Sequence, residues 1–299
     1  MNHFSIRDIE NLCNIRAHTL RIWEQRYGVF IPNRKESMHR VYSNEDLKAL
    51  LRISFLYHHG YKISKIAALS PDQINELVTS AVPETDNYEL FINQLITASL
   101  EFDKNSFEQI VRAQLERLGL TRCISDIFYP FLNRIGLLWL TNHVIPAQEH
   151  FSSHIIRKKI IFATDALPKE SVPGAHILVF APEGEFHEIP LLCANYFWRK
   201  SMIRTTYFGV NVKLEAIEFF MAKHACTHLY AHIISLINQP ALIAFFQELE
   251  AKDPEKQILL SGPGAQCLMP HLKNAVIFQS MQELISFAEK SAAGTPAVI

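Results

Sequence analysis

The stretch HILVFAPEGEFHEIP, residues 176–190, decides the fold of the C-terminal part of the chain. Its first six residues are strongly apolar, which is typical of a strand buried on both faces of a sheet. The loop that follows carries His187, with Glu185 two residues before it and Pro190 three residues after it. Three roles stay open for His187: a surface or capping residue, a general base oriented by a carboxylate, or a metal ligand whose second nitrogen a carboxylate holds. The loop contains no serine or cysteine nucleophile.

Strand-like and helix-like segments alternate after this stretch. This spacing predicts a Rossmann-like, doubly wound parallel sheet over residues 175–292, with helices on both faces. Ligands in such folds bind at the carboxyl ends of the strands, and GEFHEIP (184–190) is the first loop at that edge. The predicted strands are HILVFA, MIRTTYF, THLYAHI, QILLS and AVIF, and the predicted helices are LLCANYFW, KLEAIEFFMAKH, ALIAFFQELEA and SMQELISFAEK.

The middle of the chain has apolar residues at three- and four-residue spacing, which predicts helices. Four such segments joined by short connections favour a four-helix bundle over residues 89–168. Residues 71–88, which are polar and contain Pro71 and Pro83, are predicted to form a linker with one helical turn at most. The four predicted helices cover residues 89–100, 104–118, 121–140 and 146–167.

The first 70 residues are basic, with 11 Lys or Arg against 6 Asp or Glu, whereas the remainder has 18 against 24. A basic head on an acidic body favours a polyanionic partner for the head. SIRDIENLC and NIRAHTLRIWEQRY predict two helices separated by a turn, and FIPNRKESMHRVYS predicts a small β-wing. The alternative is that the arginines only solvate a small helical domain.

The five cysteines, at positions 13, 123, 193, 226 and 267, are scattered along the chain. An odd, unclustered set favours reduced thiols in a cytosolic protein. The chain has no apolar run long enough to span a bilayer, and MNHFSIRDIE does not resemble a signal peptide. We therefore expect a cytoplasmic protein without a membrane partner.

The head closely resembles the MerR family of bacterial transcription regulators. The resemblance rests on HTLRIWEQRYG, IPNRKESMHRVYSNEDLKALLRI and HHGYKISKIAAL and covers residues 4–69. It implies a winged helix-turn-helix domain at residues 1–70 that binds double-stranded operator DNA as a dimer, with Trp23 as a core anchor. The residues implied to contact DNA are Arg16, His18, Thr19, Arg21, Arg26, Tyr27, Arg34, Arg40 and Tyr42.

The bundle and the doubly wound domain together resemble cobalamin-binding modules, because E-x-H lies in the first strand-to-helix loop. This resemblance implies cobalamin, as adenosylcobalamin or methylcobalamin, held between the two domains with His187 as the lower axial ligand of cobalt and Glu185 behind it. In light-sensitive MerR-type regulators of this kind, a tryptophan is followed after nine residues by glutamate-histidine. Trp139, Glu149 and His150 match that spacing. Ser261 and Gly262 fall on the loop implied to house the nucleotide tail of the cofactor.

The chain departs from the cobalamin-binding pattern at several positions. Pro190 and Met202 stand where glycines are usual, and Ser261 replaces the first glycine of a usual pair. Tyr230 and His232 fall in a stretch that normally has small residues. Proline is harmless to the first turn of a helix, but its ring could intrude on a ligand. We therefore expect the axial ligand to be retained and the pocket for the nucleotide tail to be altered.

Two functions follow from these patterns. The first is a transcriptional regulator whose DNA binding is controlled by cobalamin through the association of protomers into a homodimer or a larger homo-oligomer. The second is a cofactor-independent regulator that uses the altered module to bind a protein such as an antirepressor. An enzyme is disfavoured, because no constellation that would activate a substrate is present. His224, His228 and His232 span a helix-to-strand change and are interpreted as structural.

Overall fold

The computed structural model describes residues 4–13, 15–29, 33–34, 40–58, 60–80, 88–140, 144–168, 174–234 and 238–292. These residues form two compact units, Met1–Ile156 and Arg157–Ile299. The boundary between the units falls inside one helix, Pro146–Asp165. The architecture consists of a helical head with a two-stranded wing, a helical bundle and a parallel α/β domain, as the sequence predicts.

The head contains two helices, a short wing and a third, longer helix. Ser43 and Asp46 form a capping box at the start of that longer helix: the Ser43 amide donates to Asp46 Oδ2 at 2.7 Å and the Asp46 amide donates to Ser43 Oγ at 3.2 Å. Gly28 ends the second helix in the left-handed region, with a φ of 60°. The elements are α1 (Ile6–Cys13), α2 (Ala17–Tyr27), antiparallel β1 (Asn33–Arg34) and β2 (Arg40–Val41), α3 (Asn44–His58) and α4 (Ile63–Ile66).

The predicted linker is wrong over its first half, because Pro71–Ser80 form a ten-residue helix, α5, that packs against α3. Its first turn has a second capping box, in which the Ser70 amide donates to Gln73 Oε1 and the Gln73 amide donates to Ser70 Oγ. Pro71 at the first helical position has no amide hydrogen to lose there. The Ser-Pro-Asp-Gln sequence is therefore a helix start and not a turn. Residues 81–87 lie outside the described part.

The helical bundle confirms the four predicted segments. The second and third segments run on through a short π-helical turn at Ile124–Phe128. Gly119, with a φ of 73°, breaks the regular helix where the sequence predicts a boundary. Phe107 packs edge-to-face on Phe131 and Phe151 in the bundle core, with ring centroids 5.6 Å and 5.9 Å apart. The helices are α6 (Tyr88–Leu100), α7 (Lys104–Cys123), α8 (Tyr129–Leu140) and α9 (Pro146–Asp165).

The α/β domain has five parallel strands in the spatial order β4-β3-β5-β6-β7. The chain moves from β3 to one neighbour and then crosses to the other, so the topological switch point lies at β3. Helices α10 and α13 pack on one face of the sheet, and α11 and α12 pack on the other. The elements are β3 (His176–Pro182), α10 (Glu188–Lys200), β4 (Arg204–Val212), α11 (Leu214–Lys223), β5 (His228–His232), α12 (Gln239–Lys252), β6 (Gln257–Ser261), a 3₁₀ segment (Pro263–His271), β7 (Ala275–Phe278) and α13 (Met281–Ala292).

All five cysteines are free thiols, and four of them are buried. Burial raises the pKa of both Cys13 and Cys123 to about 12, so these thiols are poor nucleophiles and poor metal ligands at neutral pH. Within the described ranges, no helix is both long enough and apolar enough to cross a membrane.

Candidate functional site

The loop after β3 lies at the switch point of the sheet and is held by hydrogen bonds to Asn211. Gly184 adopts a φ of 87°, a region that favours glycine. Its amide donates to Asn211 Oδ1 at 2.9 Å, and the Asn211 amide donates to the Glu185 carbonyl at 3.1 Å. The end of β4 therefore fixes the loop from one side.

Glu185 is buried, with 3% of its surface exposed, and its carboxylate accepts hydrogen bonds from at least four groups among the described residues. Oε1 accepts from the amides of Phe186 and His187 and lies 2.5 Å from His187 Nδ1. Oε2 accepts from the Ile234 amide, in the loop after β5, at 2.8 Å. One carboxylate thus joins the loops that follow the two strands beside the switch point.

His187 is the residue that immediately precedes α10, and half of its side chain is exposed. The hydrogen bond to Glu185 fixes the orientation of its imidazole. A carboxylate behind Nδ1 is the usual support of a histidine that binds a metal through Nε2. The structure shows Glu185 as the hydrogen-bond partner of the ring, and the role of His187 as a metal ligand stays a prediction.

Pro190 and Met202 mark the first and last turns of α10. Pro190 is the third residue of the helix and leaves its start intact, as predicted. Met202 has a φ of 61°, and its amide donates to the Arg199 carbonyl while the Ile203 amide donates to the Trp198 carbonyl. These two bonds form a Schellman motif, in which this position is usually glycine. The expected glycine conformation is therefore present in the backbone, although the residue is methionine.

The interior behind the Glu185 loop is filled by a hydrogen-bonded group of large side chains. Ser261 Oγ lies 2.6 Å from the Tyr230 hydroxyl and 2.7 Å from His232 Nδ1. Trp198 packs edge-on against Tyr230 with ring centroids 4.6 Å apart, and both rings are buried. Burial is the main cause that lowers the pKa of His232 to about 4, so this histidine is neutral at physiological pH. Ser261, predicted to contact the cofactor, is thus engaged with protein groups.

Gly262 and Gly264 allow the loop after β6 to lie directly against the loop after β5. A Cβ on Gly262 would lie 2.3 Å from the Ile233 carbonyl oxygen, and a Cβ on Gly264 would lie 2.7 Å from Ile233 Cγ2. The Gly264 amide donates to that same carbonyl at 2.9 Å. In the structure, Gly262 serves close backbone packing, and its predicted contact with a cofactor stays a prediction.

A second polar group at the start of α10 was not predicted from the sequence. Glu188 Oε2 accepts from Arg157 Nη1 at 2.8 Å, and Glu188 Oε1 accepts from the Tyr207 hydroxyl at 3.2 Å. Burial and the neighbouring Glu188 raise the pKa of Tyr207. An acid in the first turn of a helix is a recognisable signal for Glu188. Arg157 and Tyr207 are far from Glu188 in the sequence, and no sequence pattern predicts that they contact it.

The predicted cap residues of the bundle lie on α8 and α9. Glu149 and His150 are in the first turn of α9, with His150 Nδ1 2.9 Å from Glu149 Oε2. The imidazole of His150 is 76% exposed. Trp139 is in α8, and its side chain lies outside the described part. Contact of these three residues with a cofactor stays a prediction.

Most of the predicted DNA-contacting residues in and next to α2 are exposed. Arg16, His18, Arg21 and Arg26 are exposed, whereas Thr19 and Tyr27 are half-buried and Trp23 is buried as expected. The Arg26 guanidinium lies 5.6 Å from the centre of the Tyr27 ring. These positions suit phosphate and base contacts from a recognition helix.

The wing corrects one of the predicted DNA contacts. Tyr42 is fully buried and pairs through its backbone with Phe4, so its side chain belongs to the core and cannot touch DNA in this structure. Arg40 Nε donates to Glu24 Oε2 on α2 at 2.6 Å, and this bond raises the pKa of Arg40. Arg40 therefore ties the wing to α2. The side chain of Arg34 lies outside the described part.

Two family models match the chain. Residues 4–73 match the MerR HTH family regulatory protein, and residues 91–162 match the B12 binding domain. Both resemblances drawn from the sequence are thereby confirmed. The chain is a transcriptional regulator with a MerR-type DNA-binding head and a B12-binding domain.

Two transcriptional repressors and the structure of a corrinoid protein are similar to large parts of this chain. The chain is 26% identical over 221 residues to the HTH-type transcriptional repressor CarH of Myxococcus xanthus, which covers 71% of this chain and 72% of that protein. It is 26% identical over 234 residues to the repressor CarA of the same organism, with 77% and 75% covered. The monomethylamine corrinoid protein of Methanosarcina barkeri has a similar fold, with a TM-score of 0.57, 14% identity, and 68% of this chain and 98% of that chain covered.

Proposed function

We propose that this protein represses transcription by binding double-stranded operator DNA through its head, and that cobalamin bound to the C-terminal module controls this binding. The observation that carries the proposal is the Glu185–His187 pair, an oriented imidazole on a loop at the switch point. The similarity to CarH and CarA, both named as repressors, supports repression and not activation of transcription. We propose that the protein acts in the bacterial cytoplasm, where operator DNA lies, and we propose no catalytic role.

The residues at the loop fit one end of cobalamin. His187 would bind the cobalt through its imidazole, and Glu185 would hold the imidazole in place. When bound, the cofactor would supply a cobalt ion that accepts an imidazole as ligand and, in adenosylcobalamin or methylcobalamin, an organic group bound to that cobalt. The contribution of Trp139, Glu149 and His150 to the upper face is carried over from the resemblance. The interior around Tyr230 and Trp198 does not fit a nucleotide tail, because large side chains fill it.

Control of DNA binding would act through association of protomers. Several linked heads bind one operator more tightly than a single head does, because every contact after the first is intramolecular. A ligand that favours one associated state therefore changes operator affinity without touching the DNA. We accordingly propose a homodimer or a larger homo-oligomer as the form that binds DNA.

The filled interior also supports a second candidate function, a cofactor-independent regulator whose α/β domain binds a protein antirepressor. The half-exposed His187 and the exposed ring of Phe186 beside it would then belong to a protein-binding surface. The two candidates differ in whether a corrinoid is retained.

The test is to mix the full-length protein with adenosylcobalamin in the dark, desalt it, and record the visible spectrum before and after illumination. We expect retained corrinoid whose spectrum changes with light. In His187→Ala we expect a loss of retention of about 100-fold or more, because removal of a metal ligand should cost at least as much as removal of the group that supports it. His224→Ala, an exposed histidine at the end of α11, is the matched control and should retain cofactor.

A colourless wild-type protein that still binds its DNA would exclude cobalamin control and favour the second candidate. The DNA probe is a duplex selected from a random pool by the full-length protein. Its binding, measured with and without adenosylcobalamin, checks whether retention of the cofactor changes operator affinity.

A further inference from the structure

The lower face of a corrinoid has one axial position, so a protein histidine and the base of the cofactor's own nucleotide cannot both occupy it. The nucleotide is tethered below the corrin ring, on the side from which His187 would approach. Once displaced, it must either enter the α/β domain or lie outside it. The place for entry is the crevice at the carboxyl edge of the sheet, beside the switch point at β3.

Protein side chains occupy the interior below this crevice. The rings of Trp198 and Tyr230 are buried and in edge-to-face contact, on the face of the sheet that carries α10. Ser261 connects Tyr230 to His232 by hydrogen bonds of 2.6 Å and 2.7 Å. A ligand that entered here would have to displace these aromatic rings and break a buried polar network.

The chain also closes the gap between the ends of β5 and β6. The Ile233 amide donates to the Ser261 carbonyl, and the Gly264 amide donates to the Ile233 carbonyl, both at 2.9 Å. These bonds extend the pairing of the two strands past their last residues. Gly262 and Gly264 bring the two loops so close that a single Cβ would collide with Ile233. The space at the carboxyl ends of β5 and β6, here called the tail slot, is therefore filled by backbone as well as by side chains.

We propose that this protein holds its corrinoid with the nucleotide tail outside the α/β domain. This inference rests on the proposed ligation by His187. The protein would recognise corrinoids through the ring and the cobalt, and it would therefore bind corrinoids that lack the nucleotide in addition to complete cobalamin. Incomplete corrinoids bind at least as tightly, because they have no base for His187 to displace.

The experiment compares adenosylcobinamide, which lacks the nucleotide, with adenosylcobalamin by spectral titration of the full-length protein in the dark. We expect adenosylcobinamide to bind at least as tightly as adenosylcobalamin. A preference for adenosylcobalamin of about tenfold or more, which corresponds to tail contacts of about 1.4 kcal/mol, would overturn the proposal. If neither corrinoid binds, the proposed function itself fails, and this result is distinct from a preference between the two.

Two variants test the filled slot directly. Tyr230→Ala should open the interior and tighten binding of adenosylcobalamin by about tenfold, with no change for adenosylcobinamide. Phe246→Ala is the matched control, because it removes a fully buried ring from the opposite face of the sheet, in the cluster that contains Phe180 and Leu249. An equal effect of both variants on the two ligands would count against a closed tail slot. If Tyr230→Ala does not fold, the wild-type ratio of the two affinities still decides the proposal.

Discussion

The α/β domain and the bundle each contain a glutamate–histidine pair in which the histidine Nδ1 contacts a carboxylate oxygen. The distance is 2.5 Å in the Glu185–His187 pair and 2.9 Å in the Glu149–His150 pair. The Glu185 side chain is 4% exposed and accepts hydrogen bonds from three backbone amides besides the imidazole. The Glu149 side chain is 31% exposed, and its histidine lies mostly in solvent. One pair is built into the fold, and the other lies on its surface.

The difference follows from where each glutamate stands. Glu185 follows a fully buried strand at the switch point, where loops from neighbouring strands converge and their amides need acceptors. Glu149 stands in the first turn of α9, where an acid is favourable without any special partner. A preorganised imidazole suits permanent ligation of a metal, whereas a solvated pair can change its conformation at little cost. The predictions below test this contrast, from the largest expected effect to the smallest.

Glu185→Ala should lower the free energy of unfolding by about 4 kcal/mol, since each of four donors loses its acceptor in a mostly buried place. Urea denaturation followed by circular dichroism measures this loss. Glu185→Gln keeps the shape and one acceptor oxygen, so its free energy of unfolding should lie between those of the wild type and the alanine variant. A loss as small as that of Glu149→Ala would show that the first pair is no more built into the fold than the second.

Acid should destabilise the α/β domain through His232. Its pKa is about 4 in the folded protein against about 6.5 in an unfolded chain, so the folded state favours the neutral ring. The contribution of His232 to the free energy of unfolding is fully present above pH 6.5. It is lost as the pH drops toward 4, by about 3 kcal/mol at most. Unfolding free energies of the wild type and His232→Gln between pH 7 and pH 4 measure the effect. Parallel curves would show that the interior behind Glu185 is wetter than the structure shows.

Met202→Gly should raise the stability by about 1 kcal/mol, because a left-handed φ of 61° is unfavourable for methionine and free for glycine. The change concerns the far end of α10, the helix that starts at His187. Ser201→Gly is the control, since its φ of −87° gives glycine no advantage. Thermal unfolding of both variants separates relief of strain from a general tolerance of glycine.

Glu149→Ala should lower the stability by only about 0.5 kcal/mol, the usual contribution of an exposed ion pair and a first-turn acid. Urea denaturation at low and high salt measures the loss, and high salt should reduce it further. A loss of several kcal/mol would remove the contrast between the two pairs.

Much of the fold could be predicted because the relevant signals are local. Apolar spacing located all four bundle helices and all five strands of the α/β sheet, and the predicted boundary between residues 118 and 121 coincides with the break at Gly119 in α7. The linker prediction was wrong because its prolines outweighed the Ser70–Gln73 capping box. Tyr42 was assigned to DNA because a tyrosine beside basic residues has the same sequence pattern whether its ring faces solvent or the core.

The sequence by itself determined the two matched families, the order of the elements, the E-x-H loop and the positions where expected glycines are absent. These features depend on residues close together in the chain or on their periodicity. Only the tertiary structure decided that Glu185 reaches the Ile234 amide and that Ser261 joins Tyr230 to His232. Those partners are 29 to 49 residues apart in the chain, and the parallel register of β3, β5 and β6 brings them together. Sequence spacing cannot show whether a bulky residue at the end of a strand lines a pocket or fills it, because that depends on what the neighbouring strands and α10 place against it.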